Sequence, residues 1–122
     1  MKTLTIILAD GPYISEYAQI ACKIADAALK RYHVNIFLYL DAVHTPHRGQ
    51  DPTFFANEGE LFADLAERGA VIRACSRCAA TRGYFANEDG SCKDYHDGTK
   101  ISSLYDLPEM LSKSDKVICL SR

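Results

Sequence analysis

Two cysteines in a Cys-x-x-Cys spacing, Cys75 and Cys78, are the residues of this chain best suited to chemistry. A thiol reacts as its thiolate, and nearby cations or a helix N-terminus lower a thiol pKa below the free value of about 8.5. Arginines surround the pair at positions 73, 77 and 82. The segment therefore indicates reactive thiols rather than two small core residues, and Arg77 and Arg82 become candidates to stabilise an anionic sulfur.

The same cysteines also fit two other functions. Cys75, Cys78, Cys92 and His96 give the spacing C-x2-C-x13-C-x3-H. Four nitrogen and sulfur ligands at such spacings can hold tetrahedral zinc, which would make the chain a zinc-binding, non-catalytic domain. Alternatively, the Cys-x-x-Cys pair could serve a thiol–disulfide redox protein, although such proteins place the pair after an early strand.

Histidine, tyrosine and the remaining cysteines add weaker candidates. His44 and His47 lie in a polar segment and could act as acid–base groups, but such segments often hold histidines without a catalytic role. Tyr13 follows the first apolar run and is a candidate either to line a binding site or to pack. Cys22 and Cys119 lie in apolar segments, so we expect both to be core thiols.

The composition predicts one soluble globular domain spanning residues 1–122. Hydrophobic residues make up 48% and charged residues 25% of its 122 residues, and the net charge of −2 argues against a general nucleic-acid-binding protein. No apolar run approaches the roughly 18–20 residues of a membrane span, and no glycine-rich phosphate-binding motif is present. Five cysteines cannot all pair within one chain, which favours free thiols and a cytoplasmic location.

The elements that must position these residues alternate between strands and helices. Apolar runs predict strands at 3–9, 34–40, 70–74 and 116–120, and residues 100–102 are predicted as a further short strand. Amphipathic spacing predicts helices at 15–31 and 58–68, and Asp106 as N-cap with Pro108 in the first turn predicts a helix at 107–112. A helical turn at 78–83 and loops at 41–57 and 84–98 complete the chain. This order predicts a three-layer α/β/α domain, flavodoxin- or Rossmann-like, with a mostly parallel sheet of about five strands. Ligands of such domains gather beyond the carboxyl ends of the strands, where the Cys-x-x-Cys pair falls.

The segment that contains the pair resembles the DsrE/TusD-like (DsrE/DsrF-like) sulfur-relay family. In that family a strand ends in cysteine and a turn of small residues leads to Arg-Gly, as in Ala74-Cys75 followed by Ala79-Ala80-Thr81-Arg82-Gly83. Further similarities follow in order along the chain: Gly11-Pro12-Tyr13 with Glu16-Tyr17-Ala18, Phe37-Leu38-Tyr39 with Asp41-Ala42-Val43, Gly49-Gln50, and residues 100–104 and 115–117. The chain departs from the family in its second cysteine, Cys78, and in loop 84–98.

The resemblance implies an intracellular sulfur carrier or sulfurtransferase that passes sulfane sulfur through a persulfide on Cys75. Arg82 and backbone N–H groups of the turn would stabilise the sulfur anion, and Arg77 would assist. Cys78 could attack the persulfide, close a disulfide and release sulfide.

The resemblance also implies the kinds of partner. These would be sulfur donor and acceptor proteins or small thiols, with no cofactor, no metal and no direct contact with nucleic acid or membrane. The chain would form a homo-oligomer, a trimer or a hexamer, or a hetero-oligomer with homologous chains.

Overall fold

Five parallel strands form the single sheet of the computed structural model, which describes residues 1–122. They are β1 (Lys2–Leu8), β2 (Tyr32–Leu38), β3 (Val71–Cys75), β4 (Thr99–Ser102) and β5 (Lys116–Leu120). The order across the sheet is β4-β3-β2-β1-β5, and every neighbouring pair is parallel. The predicted α/β fold is confirmed, with a sheet that is parallel throughout.

Four α-helices connect the strands. They are α1 (Tyr17–Ala28), α2 (Glu58–Glu67), α3 (Ser76–Thr81) and α4 (Asp106–Ser112). A 3-10 helix, Leu40–His44, begins at the last residue of the predicted strand 34–40 and occupies the start of the predicted loop 41–57. The third helix begins two residues earlier than the predicted turn, because β3 ends at Cys75 and the chain enters the helix without a connecting loop.

The helices cover the sheet from two sides. α1 packs against β1, β2 and α2. The connection from β4 to β5 crosses back over the sheet, so a right-handed crossover puts α4 on the face opposite α1 and α2. On that face the hydroxyl of Ser114 pairs with the hydroxyl of Thr5, and the Thr3 N–H donates to Asp115 Oδ2 at 2.8 Å. The result is the predicted three-layer arrangement.

The core lies mainly between β1–β3 and α1. Alanines at positions 18, 21 and 25 give α1 a fully buried face without large side chains, which lets the helix lie close to the sheet. Fully buried strand residues include Ile6, Leu8, Ile36, Leu38 and Ile72. Each such side chain contributes about 1.5–3 kcal/mol by leaving water. None of the helices is both long and apolar enough to span a bilayer.

Of the two cysteines predicted to be core thiols, Cys22 packs against the core and Cys119 does not. Cys119 is exposed, so its prediction was wrong: β5 is an edge strand, and no helix covers the side chain there. Cys22 is half-buried and lies in a groove between α1 and α2, where burial raises its pKa.

Candidate functional site

The Cys-x-x-Cys pair lies where β3 meets α3. Cys75 is the last residue of the strand, and Cys78 lies in the first turn of the helix. Their side chains are only 1% and 8% exposed, and both thiols are free. The two are close enough for Cys75 to raise the pKa of the Cys78 thiol. The fold therefore brings two reduced sulfurs together at the carboxyl end of β3.

A backbone donor from the neighbouring strand points at this pair. The N–H of Leu40, just beyond β2, donates to Cys78 Sγ at 3.2 Å. Leu40 has a φ of +52°, a left-handed conformation that a branched side chain rarely adopts. Such a residue costs on the order of 1–3 kcal/mol and persists where the surrounding structure fixes it. The end of β2 is thus held in a conformation that directs an N–H at sulfur.

The Cys78 thiol is nevertheless weakly acidic. Burial raises its pKa; the Leu40 N–H opposes this, Cys75 adds to it, and Arg82 opposes it more weakly. The net direction is upward, so Cys78 is protonated at neutral pH. At Cys78, desolvation therefore outweighs the charge of Arg82.

Arg82 connects helix α3 with the segment that follows β2. Its Nε donates to Asp41 Oδ1 at 2.7 Å, and its Nη1 donates to the Cys78 carbonyl at 3.0 Å. On the other side of Asp41 lies Gly11, where a Cβ would come within 3.0 Å of the Asp41 carbonyl oxygen. Glycine therefore allows the turn after β1 to approach closely. Arg82 reaches the cysteine backbone, and Asp41 balances part of its charge.

The side chains of the other two candidate binding residues, Arg77 and Tyr13, form no hydrogen bond with either cysteine. Arg77 is exposed on α3. Tyr13 donates its hydroxyl to Gln50 Oε1 at 2.8 Å and accepts from the Glu58 N–H at 3.1 Å. Tyr13 therefore fixes the start of α2 against the turn after β1. The third arginine near the pair, Arg73, donates to the Ile72 carbonyl on its own strand.

The four predicted zinc ligands do not converge. Cys92 is buried close to Tyr95, whereas His96 packs on α2, its ring 3.0 Å from where a Cβ on Gly59 would lie. Nowhere in the chain do three His, Cys, Asp or Glu side chains form a group able to hold a metal ion. The zinc alternative is therefore wrong, because loop 84–98 carries its cysteine and its histidine to different surroundings.

The structure adds contacts near this site, and one of them involves His44, which the sequence had given as an acid–base candidate. His44 Nδ1 lies 2.7 Å from the Tyr84 hydroxyl, and burial lowers the His44 pKa against the opposing effect of Asp41. His44 is therefore a fixed, neutral contact between the 3-10 helix and loop 84–98. The N–H of Leu40 had no sequence signal, since any residue supplies a backbone donor. Asp41 was visible at a predicted strand end and in the family resemblance, but neither indicated its contact with Arg82.

Comparison with known proteins finds a family profile and relatives that each match nearly the whole chain. The profile of the DsrE/DsrF-like family matches residues 2–120. An uncharacterized protein of Methanopyrus kandleri is 33% identical over 97% of this chain and 93% of its own, and one of Methanocaldococcus jannaschii is 32% identical over 93% and 96%. Protein YchN of Escherichia coli is 28% identical over 97% of this chain and 98% of its own. The crystal structure of YchN superposes with a TM-score of 0.82 at 24% identity, covering 98% of this chain and all of that one.

Proposed function

We propose that this chain, which belongs to the DsrE/DsrF-like family, carries sulfane sulfur as a persulfide on Cys75. The family is associated with sulfur relay. The observation that carries the proposal is the pair of reduced cysteines at the end of β3, bordered by the Leu40 N–H and by Arg82. A sulfur relay requires a nucleophilic cysteine and surroundings able to stabilise a sulfur anion. Cys75 would be the nucleophile, and the Leu40 N–H and Arg82 would be the stabilising groups.

The transfer needs no external oxidant. The Cys75 thiolate attacks the outer sulfur of a donor persulfide, so a Cys75 Sγ–S bond forms as the donor S–S bond breaks. The donor thiolate leaves with the electron pair and takes up a proton. In the second transfer an acceptor thiolate attacks the outer sulfur, and Cys75 leaves as the thiolate. Arg82 stabilises the negative charge that develops on sulfur in both steps.

Cys78 has a different role in this scheme. Its thiolate could attack Cys75 Sγ, form the Cys75–Cys78 disulfide and expel hydrosulfide; an external thiol would then have to reduce the disulfide. Because burial raises the Cys78 pKa, this attack is slow at neutral pH and accelerates as the pH rises. At neutral pH the persulfide would then pass mainly to an external acceptor thiol.

The proposal extends to partners and location. Donor and acceptor proteins or small thiols would exchange sulfur with Cys75, and the chain would work as a homo-oligomer or beside homologous chains. A cytoplasmic location would keep its five cysteines reduced.

Mass spectrometry tests the proposal. The wild type, Cys75→Ser, Cys78→Ser and the exposed-cysteine control Cys119→Ser are each incubated with a small persulfide donor. Sulfur loading adds about 32 Da, reversible by dithiothreitol, and peptide mapping locates it. We expect loading at position 75 in the wild type, Cys78→Ser and Cys119→Ser, and none there in Cys75→Ser.

Other outcomes of this experiment would point to other functions. Loading that survives Cys75→Ser and disappears in Cys78→Ser would assign the sulfur to Cys78. A loss of about 2 Da without any gain of sulfur would indicate a Cys75–Cys78 disulfide and favour the thiol–disulfide redox alternative.

A further inference from the structure

A small cavity lies between the turn after β1, the start of α1 and the start of α2. Its volume is about 250 Å³, and it is lined by Tyr13, Ser15, Glu16, Gln19, Phe55 and Glu58. None of these residues shares a hydrogen bond with Cys75, Cys78 or Arg82. The cavity therefore shares no residue with the hydrogen bonds around the cysteine pair, and its size suits a ligand of few heavy atoms.

The wall of this cavity contains a buried carboxyl group with a free oxygen. Glu58 is 1% exposed, and its Oε1 accepts the Tyr13 N–H at 3.1 Å. Its Oε2 is buried without any hydrogen-bond partner. Buried polar atoms are nearly always paired, and a buried carboxylate that lacks a donor is costly. Glu58 also lines the cavity, so a small turn of its side chain would let this oxygen accept from a group that enters.

The backbone beside Glu58 is held in a strained conformation. Tyr13 has a φ of +65°, in the left-handed region that favours glycine. In this conformation its N–H meets Glu58 and its hydroxyl meets Gln50. Strain of this kind persists where several contacts fix it, and it is concentrated at ligand-binding sites.

We propose that this cavity binds the ammonium group of a small organic amine. The ammonium would donate to Glu58 Oε2 and supply the charge that a buried carboxylate lacks. Glu16 adds a second negative charge, no cationic side chain lines the cavity, and the rings of Tyr13 and Phe55 offer faces that attract cations. A metal ion fits less well, because no three acidic, His or Cys side chains gather here.

A binding experiment with a matched neutral ligand tests this site. Benzylamine, which is charged at neutral pH, and uncharged benzyl alcohol are titrated into the wild type, Glu58→Gln and Glu60→Gln, with amide chemical shifts followed by NMR. Glu60 is exposed on the same helix and is the control position. We expect saturable benzylamine binding by the wild type and by Glu60→Gln. Glu58→Gln should bind benzylamine, and the wild type should bind the alcohol, at least about tenfold more weakly, the loss expected for an unmade charged hydrogen bond.

Three results would overturn the proposal: no saturable binding of benzylamine, equal binding by Glu58→Gln, or equal binding of the alcohol. Loss of the fold should not obscure the result. Burial raises the pKa of Glu58, so folding of the wild type is favoured below its ordinary pKa of 4.5 and that contribution is lost as the pH rises through the folded pKa. Glutamine avoids this cost at pH 7, so Glu58→Gln should melt no lower than the wild type. It should also still load sulfur on Cys75, so this site and the sulfur carrier can fail independently.

Discussion

Arg82 is the residue whose geometry best connects structure to sulfur chemistry. Its guanidinium donates one hydrogen bond to Asp41 and another to the Cys78 carbonyl, and the Arg82 side chain is 24% exposed. Both bonds fix the fork beside the cysteines before any sulfur arrives. A charge that is already oriented stabilises a developing anion without reorganisation, which is the source of most such rate effects.

Replacing Arg82 should therefore slow the transfer of sulfur to Cys75. We expect Arg82→Ala to reduce the loading rate by about tenfold or more, by comparison with removal of one anion-stabilising donor in other enzymes. Arg82→Lys should recover only part of the rate, because an ammonium cannot make both bonds of the fork. Quenched time points analysed by mass spectrometry give the rates, with exposed Arg31→Ala as the control. Loading by Arg82→Ala at the rate of Arg31→Ala would exclude this role.

At the scale of elements, loop 84–98 is tied to the rest of the fold through the 3-10 helix. The Tyr95 hydroxyl donates to the Val43 carbonyl at 2.6 Å, and the Tyr84 and Tyr95 rings pack with centroids 5.0 Å apart. The Arg48 N–H donates to the Asp94 carbonyl at 2.7 Å. The loop thus supports the element that begins at Leu40, whose N–H meets Cys78.

Tyr95→Phe tests this connection. The change leaves the Val43 carbonyl without its donor inside the protein, which should lower the free energy of unfolding by about 1–3 kcal/mol. Urea denaturation followed by circular dichroism measures the change. Tyr105→Phe removes a hydroxyl from a side chain that is 84% exposed and should be neutral. Equal stability of the two variants would show that the buried hydrogen bond contributes nothing.

The elements could be predicted from the sequence far better than the contacts between them. Nearly continuous apolar runs identified β1 and β2, because the central strands of a parallel sheet are buried on both faces. Spacing and family resemblance singled out Cys75, Cys78 and Arg82, whose proximity the structure describes. No local pattern predicted the hydrogen bond from the Leu40 N–H to Cys78 Sγ or the one from the Tyr95 hydroxyl to the Val43 carbonyl. Both bonds join segments that are distant in the sequence. Cys119 was wrongly predicted to be buried because the sequence of a strand does not show whether it lies at the edge or in the centre of a sheet.

At the scale of the whole molecule, the face of the sheet near β5 is incompletely covered. Val117 and Cys119 pair in register with Thr5 and Ile7, so their side chains share the face on which α4 lies. Helix α4 ends near Thr5, and Val117 remains 45% exposed while Cys119 is exposed as well. The backbone of β5 is also free of a neighbour on its outer side. An exposed apolar edge strand favours association with another chain.

Val117→Lys tests whether this face joins copies of the chain. We expect the wild type to be an oligomer by size-exclusion chromatography with light scattering. Lysine at position 117 should shift it to smaller species, because burying an unpaired charge in an interface costs several kcal/mol. Ala27→Lys introduces the same side chain at an exposed position on α1 and should leave the mass unchanged. A wild type that stays monomeric at every concentration would contradict the proposed oligomer. An oligomer that persists in Val117→Lys would instead locate the contact on another surface, and the exposed edge of β5 would then need a different partner to cover it.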